Sequence, residues 1–233
     1  MQKTESTSKL ITRTKKITVI RRTLWILNHI YHQALTVLSV IFLWVMYENS
    51  DKSNSFFWHI FLSTAAYIPL MASAIILFSE DNLITLYITR TKKYFIHGVL
   101  LGVSALFVTI GISLEVHSKN KRGSKHFKSD HAILGLVSWV LVLLSVVIGL
   151  VAANTRIFSN YIKPVVAKFV HNFLGIAAFI LGVASFYKEI NYFKSSLSEH
   201  AFDISRYATW IVAVWSVINA LKSLKEQITN ILF

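Results

Sequence analysis

Four of the nine histidines recur at similar intervals along a chain that is 54% hydrophobic. They are His59, His97, His131 and His171, which follow one another at 38, 34 and 40 residues. A neutral imidazole is the most common metal ligand in proteins, so a regular set of histidines indicates metal chemistry. The chain has no cysteine, which excludes thiolate metal sites, iron–sulfur clusters, disulfides and cysteine nucleophiles.

Each of these histidines lies just inside a long apolar stretch. Six stretches carry almost no charge, at 24–46, 56–79, 94–115, 131–152, 167–187 and 207–221. A helix needs about 20 apolar residues to cross the hydrocarbon core of a bilayer, whereas the strands of a membrane barrel alternate in polarity, and these stretches do not. The sequence therefore predicts an all-α integral membrane protein with six transmembrane helices, whose short loops leave no room for a soluble domain.

The antiparallel order of neighbouring spans decides which histidines can meet. The four histidines lie near the starts of spans two to five, one in each, so His59 and His131 lie near one membrane face, and His97 and His171 near the other. A four-helix core of spans two to five, with spans one and six peripheral, can direct each pair inward. Two facing imidazoles are the usual axial ligands of a b-type haem, and this ligation favours electron transfer over oxygen binding.

Other interpretations of the histidines remain open. In a haem-free membrane transporter or scaffold they would be polar packing residues, and a haem-binding sensor without turnover would hold haem but pass no electrons to an acceptor. Gly98, Gly102, Gly135 and Gly175 follow the ligand candidates closely and leave room for a flat macrocycle, but small residues also serve helix packing in membranes. His29 and His32 of span one are alternative ligands, although an interfacial role or contact with the haem propionates is the favoured interpretation.

The charge distribution predicts the orientation in the membrane. The net charge is +13, and the basic residues lie in tails and loops, which argues for lipid headgroups and against nucleic acid as the partner. Fifteen Lys and Arg fall on the side of the two tails and nine on the other, so both termini are expected in the cytoplasm. The predicted organisation is a basic tail at 1–23, a six-span domain at 24–221 and a C-terminal tail at 222–233. No signal peptide is expected, so span one stays as an anchor.

Several short strings resemble the cytochrome b561 family of transmembrane, ascorbate-dependent reductases. They are WHIF at 58–61, LFSEDNLI at 77–84, HGVLLG at 97–102, HFKSDHAILGL at 126–136 and HNFLG at 171–175. The second and fourth look most like the animal branch called cytochrome b561 domain-containing proteins. The sequence departs from the family at Ile60, where many members have proline, and at Phe95, where some have a basic residue. The proline of span two is Pro69 instead, where a kink in the helix is expected.

The resemblance implies a transmembrane cytochrome with two haem b groups per chain. His97 and His171 would hold the cytoplasmic haem, and His59 and His131 the other. Electrons would pass from cytosolic ascorbate to a non-cytoplasmic acceptor, either monodehydroascorbate or a ferric chelate. The host membrane would be an endomembrane (vesicle, endoplasmic reticulum or lysosome-like) or the plasma membrane, and a homodimer is one option for the assembly. A ferric reductase or oxidase domain would place two ligands on one helix, whereas each of spans two to five carries one histidine.

The substrates imply basic residues beside each haem. Ascorbate is an anion at neutral pH, so a basic pocket is expected on the cytoplasmic side. The candidates there are Arg90, Lys92, Lys93 and Lys168. On the other side, His126 and Lys128 are candidates for contact with the acceptor or the haem propionates. The competing interpretation is that these residues only set topology or line a solvated loop.

Overall fold

The computed structural model follows the chain from Gln2 to Phe233 and describes the side chains of 18–233 apart from those of Leu83 and Asn219. The first seventeen side chains, which include most of the basic residues of the predicted tail, lie outside the described residues. Within the described part of the chain, every regular element is helical. In chain order they are α1 (Gln2–Asn49), α2 (Ser55–Ala65), a π-helical turn (Ala66–Met71), α3 (Ala72–Ile76), a short 3-10 turn (Leu83–Thr85), α4 (Arg90–Lys121), α5 (Asp130–Ala153), α6 (Thr155–Phe158), α7 (Pro164–Lys188), a 3-10 helix (Ile190–Ser196) and α8 (Glu199–Leu232).

Six of the described helical segments are long and apolar enough to cross a bilayer, which confirms the predicted fold class. Span one is α1 from Thr18 onward, span two combines α2, the π-helical turn and α3, and spans three to six are α4, α5, α7 and α8. The helices extend beyond the apolar stretches, as α4 does by continuing to Lys121. A helix satisfies its own backbone hydrogen bonds, so it can run from the hydrocarbon into the interface without a break.

Capping residues fix where the core helices begin. The side-chain oxygens of Asn54, Thr89 and Ser129 accept hydrogen bonds from backbone N–H groups two or three residues further on, at 2.9, 3.4 and 3.2 Å. Such caps satisfy donors that the first helical turn leaves without a partner. Pro164 opens α7, where its missing N–H costs nothing. The four regularly spaced histidines consequently all lie near the starts of their helices.

The core consists of two antiparallel helix pairs. Span two packs along α4, and α5 packs along α7, while α1 and α8 pack outside them, mainly against span two and α7. The most deeply buried large side chains include Phe42, Phe179 and Val108, which come from α1, α7 and α4. Spans two to five thus form the two helix pairs, and spans one and six pack against them.

The outer faces of the helices are apolar. Leu106 of α4, Leu150 of α5 and Ile211 of α8 leave 56, 63 and 66% of their surface exposed. Soluble proteins rarely expose apolar surface on this scale, whereas hydrocarbon tails solvate it well. These side chains therefore mark the surface that faces lipid.

Span two is the one core span with an irregular segment. The residues of Ala66–Met71 form a π-helical turn around Pro69. Proline has no N–H to donate and its ring crowds the carbonyl four residues earlier, and a wider turn relieves both conflicts. The predicted kink at Pro69 is thus a local change of helix type within the membrane.

Candidate haem sites

The structure brings the four histidines together in two pairs. His59 of α2 faces His131 of α5, with ring centroids 6.0 Å apart and ring planes at 82°. His97 of α4 faces His171 of α7, also at 6.0 Å and with planes at 80°. These are the pairs expected from the antiparallel order of the spans.

Each of the four imidazoles makes a hydrogen bond to a backbone carbonyl through its Nδ1 atom. The acceptors are Gly111 for His59 at 3.1 Å, Ala74 for His97 at 3.0 Å, Ser185 for His131 at 2.9 Å and Ser145 for His171 at 2.9 Å. A carbonyl oxygen only accepts, so Nδ1 must carry the hydrogen in every case. The lone pair is then on Nε2, which is the protonation state that a metal-binding histidine needs.

The separation within each pair fits one metal atom between two rings. An imidazole nitrogen binds a metal at about 2 Å and lies about 1 Å from its own ring centroid, so two rings on opposite sides of one metal have centroids roughly 6 Å apart. Both pairs have this separation. The donor set, two neutral imidazoles with fixed tautomers, is also the set that a low-spin b-type haem uses.

The two pairs form two layers across the bundle. In α5, His131 lies in one layer and Ser145, whose carbonyl holds His171, lies fourteen residues later in the other. In α7, His171 and Ser185 have the same spacing in the opposite direction. Fourteen residues at a rise of 1.5 Å place the layers about 21 Å apart along the helices.

Two serines make additional contacts with the histidines. The Ser185 hydroxyl donates to the His131 carbonyl at 2.8 Å and lies 3.0 Å from His131 Nδ1. The Ser145 hydroxyl makes longer contacts with His171, at 3.5 Å to its carbonyl and 3.3 Å to Nδ1. Sequence reasoning missed these serines, although the repeated spacing of histidine, glycine and serine in α5 and α7 was a detectable signal.

The glycines near the histidines fall into two groups. A Cβ atom at Gly135 would lie 3.1 Å from the Ser185 hydroxyl, so this glycine makes room for the serine of the facing helix, whereas a Cβ atom at Gly175 would make an ordinary contact with the Ser145 hydroxyl at 3.4 Å. A Cβ atom at Gly98 or Gly102 would have nothing within 4 Å. The open space beside His97 is where a macrocycle held by that pair would need room.

A cavity of about 350 Å³ lies beside the pair of His59 and His131. Its size falls within the range of ligand pockets in proteins. Its lining is mostly apolar and includes Tyr67, Phe127 and Phe186. A flat, largely apolar ligand between the two imidazoles therefore fits the chemistry of the walls.

One end of this cavity carries charge. The Oε1 atom of Glu115 accepts from Arg122 at 3.3 Å and lies 3.9 Å from Lys119, while its Oε2 atom is buried without a hydrogen-bond partner. His126 also lines the cavity, with Nε2 bound to Asn120 at 2.8 Å and Nδ1 buried without a partner. Glu115 and Lys119 were not among the predicted site residues, although their spacing of four residues at the end of a span is typical of a helical ion pair.

Of the two residues predicted for the acceptor, His126 reaches the cavity, and Lys128 is exposed on the same loop. The four candidates predicted for ascorbate lie at the starts of α4 and α7, the helices that carry His97 and His171. Arg90 is exposed and donates to the Tyr94 hydroxyl at 3.0 Å. Lys92 and Lys168 are exposed, and Lys93 is half-buried. The fold thus gathers these four cations at one end of the bundle.

The histidines of span one join neither pair. The His32 Nε2 atom is 3.1 Å from the Asn82 side-chain oxygen, and His29 is 3.1 Å from Gln33 on its own helix. Both residues belong to α1, outside the four-helix core. The structure therefore favours a packing or interfacial role for them over ligation.

A buried tyrosine lies between the layers. The Tyr67 hydroxyl is 2.6 Å from the Ser138 hydroxyl, which itself donates to the Ala178 carbonyl at 2.7 Å. Because the Ser138 hydrogen is already engaged, Tyr67 must be the donor to Ser138. The ring of Tyr67 occupies the space that a side chain at Gly182 would need. This arrangement fixes an aromatic ring near the middle of the bundle.

Comparisons with known proteins agree with this arrangement. The family model for eukaryotic cytochrome b561 matches residues 58–194, more than half of the chain. Transmembrane reductase CYB561D2 of Mus musculus is 25% identical over 134 residues, which are 57% of this chain and 60% of the relative. The protein of the same name from Homo sapiens is 27% identical over 135 residues, with the same shares. The match thus spans about three fifths of the length of these relatives, and no solved structure matches the chain.

The matched region contains all four paired histidines. The family is one of b-type cytochromes, which are haem proteins, and the described pairs have the tautomers and the separation that haem ligation requires. The resemblance noted in the short sequence strings is thereby confirmed. With its six apolar spans, the chain belongs to the eukaryotic cytochrome b561 family.

Proposed function

We propose that the protein is a diheme transmembrane reductase that carries electrons from ascorbate in the cytoplasm to an acceptor across the membrane. The observation that carries this proposal is the pair of histidine layers, each with rings 6.0 Å apart and Nδ1 atoms bound to backbone carbonyls. One site alone would leave most of the membrane thickness uncrossed. Two layers about 21 Å apart would give an electron two redox sites along the membrane normal. The relatives named transmembrane reductase support an oxidoreductase activity.

In this proposal each chain holds two haem b groups. His97 and His171 bind the one near the cytoplasm, and His59 and His131 bind the other. Each haem, when bound, supplies a reversible one-electron iron couple. The carbonyls of Ala74, Gly111, Ser145 and Ser185 keep the Nε2 lone pairs available by retaining the hydrogen on Nδ1.

The cytoplasmic substrate follows from the charge at that end of the bundle. The four cations at the starts of α4 and α7 would attract the ascorbate anion, and their long side chains would reach the surface above His97 and His171. Ascorbate gives up one electron and one proton and becomes monodehydroascorbate. These four side chains are all cationic and outnumber the carboxylates of Glu80 and Asp81 on the loop that precedes α4, so the local field favours an anion.

The acceptor is proposed to approach the end of the cavity near Glu115 and His126. Monodehydroascorbate would take up one electron and one proton to regenerate ascorbate, or the iron of a ferric chelate would be reduced from Fe(III) to Fe(II). The buried Oε2 and Nδ1 atoms are then available to a ligand or a proton at that end. Lys128, on the neighbouring loop, would add attraction for an anionic acceptor.

The orientation is proposed from the basic residues, which place both termini in the cytoplasm. With that orientation, the charged end of the cavity faces a vesicle lumen, the lumen of the endoplasmic reticulum, a lysosome-like compartment or the cell exterior. The remaining partners are the lipid bilayer and, as an open alternative, a second copy of the chain.

A sided vesicle assay tests this function. Purified protein is reconstituted into vesicles that enclose ascorbate, and ferricyanide, which does not cross membranes, is added outside. We expect haem-loaded vesicles to reduce the external ferricyanide, and vesicles with His171→Ala or without protein to leave it oxidised. Haem-loaded vesicles that reduce no external acceptor, although ascorbate reduces the protein in detergent, would contradict transmembrane transfer and favour a sensor.

A further inference from the structure

The four core spans share a chain spacing that has one exception. Each span contributes a histidine to one layer and, further along the chain, a backbone carbonyl that accepts a hydrogen bond from a histidine of the other layer. The number of residues between the two can be compared among the four spans. The interval is fourteen residues in α4, from His97 to Gly111, and fourteen in both α5 and α7. In span two it is fifteen residues, from His59 to Ala74.

The extra residue of span two coincides with the π-helical turn. In a regular α-helix one additional residue would advance the chain by about 1.5 Å and rotate it by about 100°. His59 and the Ala74 carbonyl could then not meet α4 on the same face. A π-helical turn closes its hydrogen bonds over one more residue than an α-turn, so it takes up a single added residue with little change in the helix beyond it.

We propose that the π-helical turn at Ala66–Met71 is a register device, which lets span two hold a histidine in each layer at once. The part of span two before the turn places His59 within hydrogen-bond distance of the Gly111 carbonyl. The part after the turn places the Ala74 carbonyl within hydrogen-bond distance of His97. Pro69 is tolerated because the wider turn accommodates it. In this proposal the turn exists because of the extra residue and not because of the proline. The inference rests on the proposed diheme function, since the register matters for ligation.

Deletion of single residues tests the inference, because a register device and a simple proline kink predict opposite results. Deleting Pro69 removes the extra residue, restores the interval of fourteen and allows a continuous α-helix. We expect this variant to keep two haems per chain, with unchanged midpoint potentials and unchanged low-spin signals in electron paramagnetic resonance. The matched control is deletion of Leu106, which is 56% exposed to lipid and lies between His97 and Gly111 of α4. That deletion shortens a regular interval, so at least one of the two haems should be lost.

A second variant, deletion of Leu70 combined with Pro69→Ala, removes the extra residue without leaving a proline in the restored α-helix, so it guards against an effect peculiar to the Pro69 deletion. Loss of a haem in both the Pro69 and the Leu70 deletions, or failure of both to fold, would overturn the register model and leave the turn as a proline kink. Retention of both haems after deletion of Leu106 would overturn it as well. A wild-type protein without haem would instead refute the proposed function, so the two failures are distinguishable.

Discussion

At the scale of residues, the site depends on the protonation state of four imidazoles. The regular intervals between the histidines identified them as candidate ligands. The antiparallel order of neighbouring spans predicted which of them would face each other. The carbonyls that fix Nδ1 could not be predicted, because a backbone acceptor has no signature in the sequence. The two layers use separate helix contacts, so each should respond on its own to substitution.

Replacing one histidine should therefore remove one haem. His59→Ala should lower the haem content from two per chain to one and leave the cytoplasmic haem reducible by ascorbate. His171→Ala should remove the other haem, and His29→Ala, in span one, should remove neither. Haem content is measured by the pyridine haemochrome assay. Loss of both haems from His59→Ala would argue against independent sites.

The serine hydroxyls should tune the potentials of the sites separately. Because the Ser185 hydrogen is directed to the His131 carbonyl, its oxygen can accept from His131 Nδ1 and increase the electron donation of that imidazole. Ser185→Ala should raise the midpoint potential of that haem by about 20 mV, which is about half a kcal/mol for one electron. Ser145→Ala should change only the other haem, and by less, since its contacts are longer. A redox titration that shows both haems shifting equally in either variant would contradict this assignment.

At the scale of elements, the six spans and their order were predictable and the π-helical turn was not. The apolar stretches predicted each span, because a helix that crosses the hydrocarbon core needs a continuous apolar surface. The sequence around Pro69 predicted a kink, but the type of the turn depends on where span two must meet α4. The glycines near the histidines had two possible roles in the sequence, room for a macrocycle or helix packing, and the structure shows that Gly135 makes room for the facing Ser185.

The packing of span two against α7 should be sensitive to a single methyl group. Gly182→Ala would place its Cβ atom within the ring of Tyr67, so it should destabilise the protein by about 1–3 kcal/mol. Gly175→Ala is the matched control, because its Cβ atom would make an ordinary contact at 3.4 Å. The measurement is the thermal unfolding of both variants in the same detergent. Equal stabilities of the two variants would show that Tyr67 does not need the space at Gly182.

At the scale of the whole molecule, the cations at the starts of α4 and α7 should attract ascorbate to one end of the bundle. Lys92→Gln with Lys93→Gln should slow reduction by ascorbate by about tenfold, because a basic surface raises the local concentration of an anion. Reduction by duroquinol, which is uncharged, should change less, and Lys128→Gln, at the other end, should not affect reduction by ascorbate. Stopped-flow absorbance measures these rates. Equal slowing by both reductants would exclude the assigned ascorbate site.

The central claim is that each chain holds two bis-histidine haems, and a reduced-minus-oxidised absorption spectrum with quantified haem tests it most directly. The protein should be purified after expression with a supply of haem, and ascorbate should be the reductant. We predict two low-spin b-type haems per chain, both reduced. A colourless protein would contradict the account, make the four histidines polar packing residues and favour the transporter or scaffold interpretation.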